Sequence, residues 1–279
     1  MIGAGTLGRR IALMFAARGG LVRINARNAE RGAAAVDFVE QQIGGLPGAD
    51  PGSRARGRAE FVARLEDAVA DAWLVIESVP ERLELKQEIF AQVESAAPRD
   101  AILASNSSSY ASRLIVAGLS TTDRMLNTHF YMPPTQIAVD VMSCGSTSQE
   151  VLDFVLKTFP AYGLRPFLVR RESTGFIFNR IWAAIKREAL DVVGGGVATP
   201  EDVDEMWKLL FGTKIGPFRA MDQVGLDVVY DIEEHYAAEN PALPAGPRQL
   251  LRQYLDAGKL GVKTGEGFYA DYPRPRPQD

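Results

Sequence analysis

Two side chains able to share a proton lie close together in this sequence: His129 in NTHFYMPP, and Asp140 in IAVDVM 11 residues later. A carboxylate inside an apolar strand needs a partner. An imidazole suits it, because the carboxylate orients and charges the ring while the ring exchanges a proton near neutral pH. The alternative is a core histidine with its hydrogen bonds merely satisfied. A second chemistry-bearing stretch is the opening MIGAGTLGRR, where Gly3, Gly5 and Gly8 form G-x-G-x-x-G. Glycines there permit a tight turn and a close approach of backbone to a pyrophosphate. The helix that opens on this turn at Gly8 then offers free N–H groups and a dipole that favour phosphate. The cofactor positions read from this stretch are therefore Gly3, Gly5, Thr6, Leu7 and Gly8, against the alternative of a glycine turn with no ligand.

The end of the next strand selects the cofactor. An acid about 20 residues past the glycines holds the ribose 2′-hydroxyl of NAD. Ala26 stands there, followed by Arg27 and, one helical turn on, Arg31. No carboxylate repels a 2′-phosphate and two guanidiniums are available to receive it, so NADP(H) is favoured over NAD(H). The opposing reading leaves both arginines solvated and gives a ribose hydroxyl to Asn25. No metal site is read from the sequence.

These residues need strands and helices to hold them. Helical periodicity runs over Gly8–Arg18, Ala29–Ile43 and Glu81–Ser95. Strands are predicted at Leu21–Asn25, Trp73–Ser78, Ala101–Asn106, Arg124–Phe130, Ile137–Met142 and Pro166–Arg170, with a Gly/Pro/Arg loop over Gly44–Arg58. Alternating strands and helices predict an α/β fold, a Rossmann-type doubly wound parallel sheet. From Gly175–Val193 onward the pattern is helical, and Thr199 with Pro200 reads as a helix start. The expected division is a dinucleotide-binding domain over residues 1–172 and an all-α domain over 173–279. Only Met1 and Ile2 precede the glycines, so the first strand reads as truncated, with upstream residues missing and the sheet centre weakened.

The 279 residues carry a net charge of -4, which argues against a general nucleic-acid or membrane surface. No apolar run reaches spanning length and the start does not resemble a signal peptide, so a cytoplasmic enzyme is expected. The single cysteine, Cys144, reads as a small buried residue, and the Pro-rich tail YPRPRPQD as frayed.

The stretches GAGTLG (Gly3–Gly8), ESVPERLELKQEIF (Glu77–Phe90), ASNSSSY (Ala104–Tyr110), HFYMPP (His129–Pro134), STGFIFNR (Ser173–Arg180), KIGPFRAMDQVGLD (Lys214–Asp227) and LGVKTGEGFY (Leu260–Tyr269) occur in an order that resembles the L-3-hydroxyacyl-CoA dehydrogenase family. The resemblance spans nearly the whole chain. It implies His129 as general acid/base, Asp140 as its partner in place of a glutamate, and Ser108 and Asn179 as groups on the substrate carbonyl. It implies Glu81, Lys86 and Asn106 near the cofactor, and a homodimer built by the helical region.

Three departures from the family pattern bear on substrate. Asp140 is a methylene short, Met132 replaces the usual asparagine, and the segment before the third strand is a short loop carrying Arg54, Arg56 and Arg58. The expected reaction is hydride transfer between NAD(P)(H) and a 3-oxo or 3-hydroxy acyl substrate. The alternatives are a biosynthetic NADPH reductase of a non-CoA ketone or imine, and a nucleotide-binding protein without catalysis.

Overall fold

The structure is a computed structural model, and it describes residues 1–46 and 57–273. The chain divides into two compact units, Met1–Ile177 and Phe178–Asp279. Arg54 and Arg56 lie outside the described residues.

The first unit alternates helices and strands: α1 (Thr6–Ala16), β1 (Leu21–Ile24), α2 (Ala29–Gln42), β2 (Arg58–Phe61), α3 (Leu65–Val69), β3 (Leu74–Glu77), α4 (Leu83–Ala96), β4 (Ile102–Ser105), α5 (Ser112–Ile115), β5 (Met125–Phe130), β6 (Ala138–Ser143), α6 (Gln149–Thr158) and β7 (Arg165–Val169). The apolar runs of β3 and β4 are buried: Val75, Ile76, Ile102, Leu103 and Ala104 are each at most 6% exposed. Removing such side chains from water stabilises by about 1.5–3 kcal/mol for each large one. Helices packed on both faces of a parallel sheet produce that burial.

Strands β3 to β7 form one sheet in sequence order, and β1 pairs with β2 in a second. Ile2 bridges the two in parallel, to Asn25 on one side and Glu77 on the other. Its N–H donates to the Ile76 carbonyl at 2.9 Å, and its own carbonyl accepts from Ser78 at 2.8 Å. Met1 accepts from Asn25 N–H at 2.9 Å. Two residues thus complete the ladder at the glycine end of the sheet. At the other end a cavity of about 290 Å³ remains between Val22, Arg23, Leu74, Ile76, Ile11 and Phe15. The Met1 ammonium borders it and donates to the Arg23 carbonyl at 2.7 Å. Burial pushes that amine down to about 5.

Two findings differ from the sequence reading. The sheet is not wholly parallel, because β6 runs antiparallel to β5. A parallel return needs a crossover of about a dozen residues or more, and the link 131–137 is too short for one. Further, the loop expected to reach Arg58 gives way to strand there. Arg58–Phe61 pairs with β1, and Glu60 accepts from Arg23 at 3.0 Å. Its alternating charges hide a strand that only its neighbour defines.

The second unit holds α7 (Phe178–Gly194), α8 (Pro200–Phe211), α9 (Pro217–Val224), α10 (Leu226–Glu239) and α11 (Gly246–Asp256). Thr199 caps α8 in a capping box with Asp202, as its type predicts. The start of α7 falls after Phe176, whose φ of 54° breaks the helix expected from Gly175. Leu190, Phe218, Met221, Leu226, Val229 and Leu251 form the core.

Two buried carboxylates bind the motif segments together. Asp204 accepts from the first N–H groups of α9, Phe218 at 2.8 Å and Arg219 at 2.9 Å. Asp222 accepts from Phe268 and Tyr269 N–H at 2.9 and 3.0 Å and from the Tyr272 hydroxyl at 3.0 Å. A Cβ on Gly267 would stand 2.1 Å from Asp222 Oδ1, so glycine is required at that closure. Tyr272 is therefore anchored rather than frayed, and residues 274–279 of the tail lie outside the described residues.

Candidate active site

The carboxyl ends of parallel strands face the ligand crevice in open α/β sheets. Gly3 leaves the Ile2 bridge at that edge with φ 106°, and a Cβ on it would meet the Ser78 carbonyl oxygen at 2.5 Å. A Cβ on Gly8 would meet the Gly3 oxygen at 2.2 Å. Packing therefore demands both. Gly5 differs: it is exposed, and a Cβ there would meet nothing within 4 Å. Gly5 is also the N-cap of α1 and offers no side-chain cap to the N–H groups that follow. An open approach to uncapped N–H groups, with exposed Thr6 and half-buried Leu7 behind it, fits a dinucleotide pyrophosphate.

At the end of β1, Asn25 Nδ2 donates to the carbonyls of Val62 and Ala63 at 2.9 and 3.0 Å. That amide ties the strand end to the segment after β2. Arg27 and Arg31 flank the Asn28 N-cap of α2, are exposed, and make no ion pair with any described residue.

Between β3 and β4 lies a closed polar cluster. Lys86 Nζ sits 2.8 Å from Glu77 Oε1 and 3.0 Å from Glu81 Oε2. Glu77 also accepts from Val79 N–H at 2.7 Å and from the Ser105 hydroxyl at 2.7 Å. Glu81 grips the serine turn, accepting from the Ser107 hydroxyl and, at 3.0 Å, from Ser109 N–H. Burial pushes the Glu81 carboxyl up, but the Ser107 hydrogen bond, Lys86 and the Ser109 N–H together outweigh it and hold it below the usual range. Ser108, between the two gripped serines, is exposed. Asn106 Oδ1 accepts from Phe130 N–H at 2.8 Å and so locks the ends of β4 and β5 together.

His129 is the penultimate residue of β5 and stands directly opposite Asp140 of β6. Opposed residues share a face of an antiparallel pair, and Nδ1 lies 3.3 Å from Asp140 Oδ2. Both residues are buried, at 6% and 3% exposure. Nε2 makes no hydrogen bond among the described residues. The ring stacks on Phe176, with centroids 4.7 Å apart and planes 8° off parallel. Tyr131, two residues on, donates from its hydroxyl to the same Asp140 oxygen at 2.7 Å. Carboxylate, imidazole and outward nitrogen are the parts of a general acid/base. Met132 is exposed, and Cys144 is buried with its thiol donating to the Thr122 carbonyl at 3.3 Å.

Residues 1–173 match the family model for the 3-hydroxyacyl-CoA dehydrogenase NAD binding domain, and residues 175–271 match the C-terminal domain of the same family. The chain belongs to the 3-hydroxyacyl-CoA dehydrogenase family. Like its family, it is an oxidoreductase with a nicotinamide-dinucleotide domain, which bears out the fold and reaction class expected from the motifs. The human mitochondrial hydroxyacyl-coenzyme A dehydrogenase is 30% identical over 96% of this chain and 89% of its own length. A longer 3-hydroxyacyl-CoA dehydrogenase-like protein of Cochliobolus heterostrophus is 42% identical over 54% of this chain, which spans only 32% of that relative.

Among solved structures, the (S)-3-hydroxybutyryl-CoA dehydrogenase PaaH1 of Ralstonia eutropha is 31% identical over 98% of both chains, with a TM-score of 0.87. A diketoreductase described as acting on dicarbonyl compounds is 31% identical over 96% of both, with a TM-score of 0.82.

The first unit of this 3-hydroxyacyl-CoA dehydrogenase family member brings Gly3–Gly8, Asn106, Ser108 and His129 to one edge of the sheet. Asn179 lies in the second unit, on the first turn of α7. Sequence reasoning missed Glu77, Ser107, Tyr131 and Phe176. Glu77 had a signal, a charge closing an apolar run with Lys86 nine residues later. Phe176 had none, because its left-handed backbone is unfavourable for a residue with a Cβ and only tertiary packing selects it.

Proposed function

We propose that this chain reduces a 3-oxoacyl thioester with NADPH, or runs the reverse oxidation, with His129 as the proton-transfer group. The observation that carries the proposal is His129 held on Asp140 through Nδ1 while Nε2 is left without a partner. When bound, the nicotinamide supplies or accepts the hydride. The protein's part is to give the developing alkoxide its proton from Nε2 in reduction, and to take that proton in oxidation. Ser108 serves as a donor to that oxygen, where a preorganised hydrogen bond contributes more to the transition state than to the ground state, and Asn179 keeps the substrate-carbonyl role that the family resemblance implies.

Preference for NADPH rests on Arg27 and Arg31. Both are exposed beside the end of β1, with no carboxylate at Ala26. Glu81, Lys86 and Asn106 act near the cofactor by shaping the turn between β4 and Ser108. Met206, Leu209, Leu210 and Phe211 of α8 are 61–75% exposed and form the contact surface of a homodimer.

A non-CoA carbonyl is the second reading, favoured by Met132 at the site and by the likeness to the diketoreductase. One assay separates the two: NADPH and NADH oxidation with acetoacetyl-CoA and with a free β-diketone. Turnover of acetoacetyl-CoA that is faster with NADPH, and lost in His129→Ala, is expected. A preference for NADH would overturn the cofactor assignment, and turnover of the diketone alone would overturn the thioester.

A further inference from the structure

Asp140 serves two donors through one oxygen. Tyr131 and His129 are two residues apart on an extended segment, so both side chains fall on the face that meets Asp140. The Tyr131 hydroxyl reaches Oδ2 at 2.7 Å, well inside the normal O–H···O range, while His129 Nδ1 reaches it at 3.3 Å, the long end for N–H···O. The rings meet edge to face at 4.8 Å, and Phe176 covers the other face of the imidazole.

An aspartate carboxylate turns broadly about its last torsion. A single long contact to Nδ1 leaves its orientation loose. A second, charge-assisted donor on the same oxygen fixes it. Which imidazole nitrogen carries the proton is set by the bond the other nitrogen makes. The orientation of Asp140 therefore decides whether Nε2 is the exchanging nitrogen.

We propose that Tyr131 is a positioning residue for His129: its hydroxyl anchors Asp140 Oδ2 where that oxygen also meets Nδ1, and so fixes the tautomer of the imidazole. This rests on the acid/base role given to His129 above, and it goes further by assigning a third member to the pair. The shorter reach of Asp140 is compensated by a hydroxyl contributed from His129's own strand end.

The test is Tyr131→Phe, which keeps the ring and removes the donor. In protein labelled with 15N-histidine only two imidazoles are present, and His235→Gln assigns them. The wild type is expected to show one His129 tautomer, protonated at Nδ1, and Tyr131→Phe a mixture. The rate should fall about tenfold in kcat, the scale of one hydrogen bond to a charged group, with KM for NADPH within about twofold of wild type. Adding Tyr131→Phe to Asp140→Asn should cost nothing further, because both act through one oxygen. Asp140→Glu in the Tyr131→Phe chain supplies the missing methylene and should restore tautomer and rate.

A single tautomer in Tyr131→Phe overturns the proposal. So does full additivity with Asp140→Asn, or failure of the glutamate to restore. If His129→Gln kept wild-type kcat, the acid/base assignment would fall, and the imidazole spectrum of Tyr131→Phe would still decide the role of Tyr131.

Discussion

Lys86 and His129 are both buried nitrogen bases at the same edge of one sheet, and their surroundings differ in one respect. Lys86 lies between two carboxylates, at 2.8 and 3.0 Å; Glu77 accepts a further hydrogen bond from Ser105 at the end of β4, and Glu81 accepts from Ser107 and Ser109 of the serine turn. His129 has one carboxylate at 3.3 Å, shared with Tyr131, and its Nε2 has no partner among the described residues. A saturated charge cluster fixes geometry, because every displacement breaks a bond in a low-dielectric setting. A base with one open nitrogen can exchange a proton. The first cluster holds the turn that carries Ser108; the second is the group proposed to do the chemistry.

The contrast fails or sharpens on a few substitutions. The largest effect belongs to His129→Gln, which should lower kcat about 10²- to 10⁴-fold while moving Tm little. A large loss of Tm would make His129 a structural residue like Lys86. Next comes Lys86→Met, which leaves the buried Glu77 without its cation. A loss of about 3–5 kcal/mol is expected, seen as a fall in Tm on the order of 10 °C. Unchanged melting would mean the cluster is not holding the turn.

A smaller effect concerns acid. The Glu81 carboxyl is held below its ordinary 4.5 in the folded state. Its stabilisation is therefore full above that value and is lost as pH falls through the lower folded one. Melting curves should show wild type losing more Tm than Glu81→Gln on acidification below pH 4.5. Equal slopes would remove Glu81 from the clasp.

The smallest change probes the cavity beside Met1. Adding about four apolar β-formers ahead of Met1 should fill it and contribute about 1 kcal/mol, read as a rise in Tm of a few degrees. The buried amine is pushed down from 8.0 to about 5, so folding must release its proton between those values. An amide there carries no such cost, and the gain should be larger at pH 6 than at pH 8.5. An extension of equal length rich in Asp also removes the amine, so it should keep only the pH-dependent part of the gain and give none at pH 8.5; an equal gain from it at pH 8.5 would show that the cavity does not select apolar chain.

Much of this was legible in order along the chain. Apolar runs such as Leu74–Ile76 announce buried strands because a parallel strand has both faces covered. Gly3 and Gly8 announce a turn where backbone nearly touches backbone, and the structure adds that, of the three fingerprint glycines, Gly5 is the one free of packing demand. The strand Arg58–Phe61 was missed because its four residues alternate charge with apolar groups, and its pairing with β1 is a long-range event. The antiparallel turn of β6 was legible only from the shortness of 131–137, a constraint of chain length rather than of residue type.

The sequence by itself determined the family, the dinucleotide loop and the residue types available for proton transfer. These rest on local spacing: glycines before a helix start, and one histidine with a nearby aspartate. Tertiary structure decided which atoms meet. Only the antiparallel register sets His129 opposite Asp140, and only the packing of Phe176 in a left-handed conformation covers the imidazole. Only burial binds Glu77 and Glu81 to one lysine. The physical reason is common to all three. Each depends on elements that the fold packs together excluding water, and a buried polar group acquires its partner from whatever the fold brings within hydrogen-bonding reach.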